Sequence, residues 1–269
     1  MKEKIKKLSE RYRKLRKYRY EQGIPIKRYS IQWRKVVHPF LYHILKLDRV
    51  LSKERCEIIG DKHSNVHNAI YACTHAGGND IQRVVEAMRS HAWLFLGDPG
   101  ELYCGALGLM IQLNGAVYLE TRDKCDRRIA EARSTEILEK GGSLLIFPEG
   151  AWNIEPSIPV MLLYSGTARM ARKTGCDIIP IAIEIYDKRY VVNIGQNVSF
   201  AGRTEDDKTL TMELRDTLAT LKWEIWENQG LFSRKDIKML TDEEYAQSVV
   251  KIADWGYTLK DIYETRYHE

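Results

Sequence analysis

The chain has 269 residues, 44% of them hydrophobic and 29% charged, a globular composition that excludes a disordered, collagen-like or low-complexity protein. No run approaches the roughly 18 apolar residues of a transmembrane helix, and no apolar segment of a secretory signal follows the basic N-terminus. The net charge of +5 is uneven: residues 1–60 hold 18 Lys and Arg against 6 Asp and Glu, so a basic start joins a mildly acidic body. That asymmetry points to an anionic partner at one end, either a membrane surface or a nucleic acid.

Residues 1–20 are rich in helix formers, and Ile5, Leu8, Tyr12 and Leu15 recur at helical spacing. Gly23 and Pro25 interrupt this segment. A second, more apolar helix is expected over 31–51, with Pro39 as a kink or a start within it. Cations set beside Trp33, Phe40 and the aliphatic residues suit a helix lying in a bilayer interface. They suit equally a helical hairpin packed on the body with a solvated basic face. No nucleic-acid recognition motif is present, so nucleic acid is not expected as the partner.

From residue 56 the pattern changes to short β-branched runs alternating with longer amphipathic ones. Strands are predicted at 57–60, 69–74, 93–96, 116–119, 144–147, 178–185 and 190–194, and helices at 81–91, 127–140, 161–174, 208–228 and 241–265. This alternation predicts an α/β fold with a largely parallel central sheet flanked by helices. Gly141, Gly142 and Gly175 stand where helix C-caps belong. The Gly105–Gly108 stretch lacks a P-loop lysine and reads as a packing or cap feature. Five cysteines, Cys56, Cys73, Cys104, Cys125 and Cys176, form no CxxC and no even set, which fits reduced thiols in a cytosolic protein. His63 and His67 lack an HExxH context or a cysteine partner, so no metal site is expected.

Three predicted strand ends carry chemistry. After the strand ending at Cys73 comes Thr-His-Ala-Gly-Gly-Asn-Asp, residues 74–80. Ligand sites of open α/β sheets lie at such carboxyl ends. Gly77 and Gly78 permit a tight reversal, so Asp80 can fold back on His75. A carboxylate on one ring nitrogen fixes the tautomer and frees the other nitrogen to take a proton. The alternative is an N-cap carboxylate beside an ordinary buried histidine. A second strand ends at Phe147-Pro148-Glu149-Gly150, which reads as a ligand loop or as a turn with a solvated glutamate. A third ends at Leu119-Glu120-Thr121-Arg122, followed by Lys124, Arg127 and Arg128. Arg122 could clamp a phosphate, while the later cations read equally as a solvated helix start. Arg169, Arg172 and Lys173 share a helix face that is either solvated or near a phosphate.

At these residues the sequence resembles the glycerolipid acyltransferase family, which includes the lysophosphatidic acid acyltransferases. The family's His-x4-Asp is matched by His75 and Asp80, and its Phe-Pro-Glu-Gly block by residues 147–150, in the same order; Ile178–Ile183 resembles a later apolar block. The resemblance runs from about 56 to 200. It implies a basic helical membrane-docking segment over 1–55 and an acyltransferase domain over 56–269, peripherally attached to the membrane on the cytoplasmic side. It implies His75 as general base and Asp80 as its orienting partner. Pro148, Glu149, Gly150, Thr121 and Arg122 would hold substrate. The donor would be an acyl thioester (acyl-CoA or acyl carrier protein), with a lysolipid acceptor and no cofactor or metal.

The sequence departs from the family pattern at three places. Thr74 and Gly77 replace the common Asn and Ser around the histidine. Ala151-Trp152-Asn153 replaces Thr-Arg-Ser. Thr121 stands where the family's arginine aligns, with Arg122 one residue later, a shift that reverses a side chain on a regular strand. These departures keep open an acyltransferase for an amine or amino-acid head group, and a non-catalytic lipid- or RNA-binding adaptor.

Overall fold

The computed structural model describes residues 2–64, 68–97, 103, 105–155, 157–229, 244, 247 and 258–265. Two helices, α1 (Lys2–Glu21) and α2 (Arg28–Leu51), lead into an α/β body. The body comprises β1 (Arg55–Asp61), β2 (Ala69–Cys73), α3 (Asp80–Met88), β3 (Trp93–Gly97), α4 (Gly105–Asn114), β4 (Ala116–Leu119), α5 (Lys124–Glu139), β5 (Leu144–Ile146), α6 (Gly166–Thr174), β6 (Asp177–Tyr186), β7 (Arg189–Ile194) and α7 (Asp207–Asn228); a short helix α8 (Leu259–Thr265) follows.

The seven strands form one sheet in the order β1-β7-β6-β2-β5-β3-β4. Neighbours from β6 through β4 run parallel, β7 turns back antiparallel on β6, and β1 pairs parallel with β7. Five strands therefore point their carboxyl ends to one edge. Parallel strands covered on both faces are apolar throughout, and every residue of β2 and β5 is buried. One face packs Tyr71, Leu94, Leu145 and Ile181 against α3 and α4; the other packs Ile70, Leu144 and Ile146 against α5, α6 and α7.

All seven predicted strands form. Helix α5 begins at Lys124, before the predicted Arg127, because the Asp123 carboxylate caps the N–H groups of Cys125 and Asp126. Helix α6 begins only at Gly166, because the Met161 N–H bonds Glu149 and the Tyr164 N–H bonds the Pro148 carbonyl, which fixes 161–164 as a loop. Gly175 forms the C-cap of α6 as expected. Helix α4 takes in the stretch read as a packing feature: its apolar sequence has no polar periodicity, and it is held by tertiary packing of Met110 and Ile111. Most of the predicted 241–265 helix lies outside the described residues, as do His67 and Cys104. The other four cysteines are free.

The N-terminal helices are part of this packing. Helix α2 runs through Pro39 and buries Ile31, His38, Leu41 and Leu45 along one side. The opposite stripe, Trp33, Val36, Phe40, Leu47 and Val50, is exposed. Helix α1 stacks Tyr12 on Tyr103 at 4.2 Å between ring centroids, and Arg16 reaches the buried Asp126 carboxylate at 2.7 Å. Among the described residues no helix is long and apolar enough to cross a membrane.

Candidate active site

The ladder of β2 is carried one residue further by Thr74, whose N–H bonds the Ile181 carbonyl and whose hydroxyl accepts the Ile183 N–H at 3.0 Å. The next residue, His75, leaves the sheet at its carboxyl edge. The chain then reverses over Gly77 and Gly78, both at positive φ (94° and 61°), a conformation that glycine adopts without a Cβ penalty. The reversal brings Asp80, the first residue of α3, back to the imidazole: Oδ2 lies 2.7 Å from His75 Nδ1. The same oxygen accepts the Ala76 and Gly77 N–H groups, each at 2.9 Å. Asp80 is buried and immobilised by these bonds. A carboxylate at Nδ1 holds the proton there, which leaves Nε2 with its lone pair free. Phe147 lies against the ring at 4.4 Å between centroids, and Trp152 meets it edge-on at 6.2 Å.

Glu149 sits behind the histidine and does not line the cavity. It is 0% exposed. Oε1 accepts the His75 N–H and Oε2 the Met161 N–H, each at 2.8 Å. Burial pushes its carboxyl pKa upward, against the lowering effect of these two N–H donors. Gly150 has φ +72°, and a Cβ there would lie 2.4 Å from Tyr164 Cε2, so only glycine allows the loop to pass under this ring. The Asn153 N–H closes the arrangement on the His75 carbonyl at 2.7 Å. Two strand ends are thus fastened to each other by buried bonds that hold the histidine backbone.

The His75 ring lines a cavity of about 540 Å³. Its apolar wall is built from Phe95, Leu96, Leu119, Ile146, Phe147 and Met170; Pro148, Gly150 and Thr121 also border it. Lys124, Arg127, Arg128 and Arg169 supply positive charge, with Glu131 beside them. Arg169 is neutralised by two 2.7 Å bonds to Glu131. Among the described residues, Lys124, Arg127 and Arg128 have no ion-pair partner.

Of the expected site residues, the structure brings together His75, Asp80, Pro148, Gly150 and Thr121. Two other expected site residues do not line the cavity. Glu149 faces inward, as described. Arg122 does not line the cavity; it is 66% exposed and pairs with Glu264 on α8. The turn after β4 aims Thr121 at the cavity and Arg122 away, the reversal that a one-residue shift entails. The first turns of α5 supply the cations instead, because Asp123 starts that helix close enough to the strand end for Lys124, Arg127 and Arg128 to reach the cavity. Among the described residues no cluster of His, Cys, Asp and Glu could hold a metal ion.

No curated protein sequence matches the chain. Among solved structures, the 1-acyl-sn-glycerophosphate (LPA) acyltransferase PlsC from Thermotoga maritima superposes with a TM-score of 0.60 at 17% identity, covering 80% of this chain and 88% of that one. At this identity the likeness shows a shared fold. A family model described as acyltransferase matches residues 55–184, which span the strands and loops that carry His75, Asp80 and Glu149. Over residues 55–184 the chain is thus similar to the acyltransferase family.

Proposed function

We propose that the protein transfers an acyl group from a thioester to the hydroxyl of a lysophospholipid such as 1-acylglycerol-3-phosphate, at a membrane surface. The observation that carries this reading is the 2.7 Å bond from Asp80 to His75 Nδ1 on a ring that borders the cavity. His75 Nε2 takes the proton of the acceptor hydroxyl as its oxygen attacks the thioester carbonyl. Asp80 stabilises the imidazolium that forms. Collapse of the tetrahedral intermediate expels the thiolate, which takes up a proton to leave as free thiol, and the ester is released. Glu149 acts as a positioning residue through the His75 backbone.

The cavity favours a phosphate-bearing acceptor over an amine or amino-acid head group. Its apolar wall suits an acyl chain, and the cations Lys124, Arg127 and Arg128, which have no ion-pair partner among the described residues, suit a phosphate. The exposed stripe of α2, together with the exposed cations Arg11, Lys14 and Lys17 of α1 and Lys27 just before α2, supports seating on anionic lipid, where each cation near the surface adds about 1 kcal/mol.

An acceptor panel tests the reaction: acyl-CoA and acyl carrier protein are each offered with phosphate-bearing lysolipids and with amine, amino-acid and neutral acceptors, and free thiol is measured. The reading expects release with the phosphate-bearing acceptors. Release with amine or neutral acceptors alone refutes it. Vesicle binding tests the docking. The substitutions Trp33→Ser, Val36→Ser and Phe40→Ser together should abolish sedimentation with anionic vesicles and leave the buried side of α2 untouched; unchanged sedimentation refutes the docking role.

A further inference from the structure

We propose that Glu54 is a positioning residue for the His75–Asp80 pair, holding in place, through Asn79, the loop that brings the two side chains together. This rests on the reading of His75 as the base. The loop over 76–79 contains two glycines at positive φ, the residue type with most backbone freedom to lose, so its geometry needs outside restraint. Asn79 supplies the attachment on both its backbone and its side chain. Its N–H donates to the hydroxyl of the wholly buried Tyr190 on β7 at 3.0 Å. Its side-chain Nδ2 donates to Glu54 Oε1 at 2.7 Å.

The side chain of Asn79 is diverted to this task. Asn79 occupies the N-cap position of α3, where asparagine ordinarily accepts an N–H of the first turn, yet it makes no side-chain cap bond. A mobile glutamate could not restrain a loop, and Glu54 is not mobile. Its other oxygen lies 3.0 Å from Nε of Arg83, and the two side chains are 9% and 0% exposed. Arg83 is fixed in turn by the Leu45 carbonyl at 3.3 Å, by Glu86 at 3.1 Å and by Asp48. Glu86 also receives Arg49 at 2.9 Å. Leu45, Asp48 and Arg49 belong to the last turns of α2. The tether thus runs from α2 through Arg83 and Glu54 to the residue next to Asp80. A buried ion pair is weak evidence for stability in itself, and here its consequence is geometric.

The test uses the full chain. The ¹⁵N resonances of the His75 ring, assigned by their loss in His75→Ala, report its tautomer in mildly basic buffer and need no substrate. In the wild type they show the Nδ1–H form alone. In both Glu54→Ala and Asn79→Ala they shift toward a mixture of tautomers, and kcat for thioester turnover falls roughly tenfold with both KM values unchanged. Wild-type resonances and kcat in a folded variant overturn the proposal. So does a loss of melting temperature with the resonances unmoved, which would make Glu54 structural only. Glu54→Ala leaves Arg83 one countercharge short; if it fails to fold, Asn79→Ala decides alone, since it leaves every ion pair in place. Absence of turnover in the wild type would refute the acyl-transfer reading, while the resonances still test the tether.

Discussion

Replacing Asp80 with asparagine removes one charge and keeps the side chain's shape. The carboxylate Oδ2 accepts three bonds, from His75 Nδ1 and from the N–H groups of Ala76 and Gly77, while Oδ1 is buried with no partner among the described residues. In Asp80→Asn the amide oxygen must take the Oδ2 position, because an NH2 there would face two backbone donors. The oxygen then still accepts the Nδ1 proton, so the tautomer of His75 survives. What is lost is the negative charge opposite the imidazolium. Two unit charges about 4 Å apart interact by about 4 kcal/mol at an effective dielectric near 20, which corresponds to a kcat lower by roughly 10²–10³-fold. Acceptor-dependent thiol release, measured on protein whose circular dichroism matches wild type, gives the answer. A rate within twofold of wild type would refute the role of the charge. A loss of roughly 10⁴-fold, the size expected when an asparagine reverses the tautomer, would refute the orientation argued from the two backbone donors.

Three further outcomes are expected. Arg127→Gln with Arg128→Gln should raise KM for a phosphate-bearing acceptor on the order of tenfold, as befits loss of charge-assisted bonds, and leave KM for the acyl donor unchanged; steady-state kinetics with each substrate varied checks this. Glu149→Gln leaves either the His75 or the Met161 N–H facing an NH2, at a cost of about 1–3 kcal/mol; the melting temperature should fall by on the order of 5 °C, and an unchanged melt contradicts the clamp. His91 packs against His38 beneath α2, with Arg34 and Lys35 nearby, and burial pushes its pKa from 6.5 down to about 4. The unfolded chain therefore binds the proton more readily, so the stability this group contributes is full above pH 6.5 and is lost as the pH falls toward 4, by about 1.4 kcal/mol per pH unit. Melting curves across that range should show the loss, and His91→Gln should flatten it; an unchanged slope would contradict the assignment.

The fold was legible where one element could be read from its own residues. Short apolar runs such as Ala69–Cys73 and the isoleucine-rich Ile178–Ile185 admit little but buried strands. Helix α4 was not legible, because its glycines and unbroken apolar pattern carry no helical period, and neighbouring elements decide its conformation. The His75–Asp80 pair was readable because both partners lie within one six-residue loop. Glu149 was visible as a site residue, but the direction of its carboxylate depends on a loop residue twelve positions later, Met161. The choice between Arg122 and the α5 cations turned on where Asp123 starts that helix. Glu54 and Arg83 gave no signal at all: they lie 21 residues before and 8 after His75, and only the packing of α2 against α3 joins them to it.

The most direct measurement is acceptor-dependent release of free thiol from an acyl thioester by the wild type and by His75→Ala, with matching circular dichroism. General-base catalysis by His75 predicts steady turnover in the wild type and a loss of about 10²–10⁴-fold in the variant. Equal rates in the two proteins would contradict it.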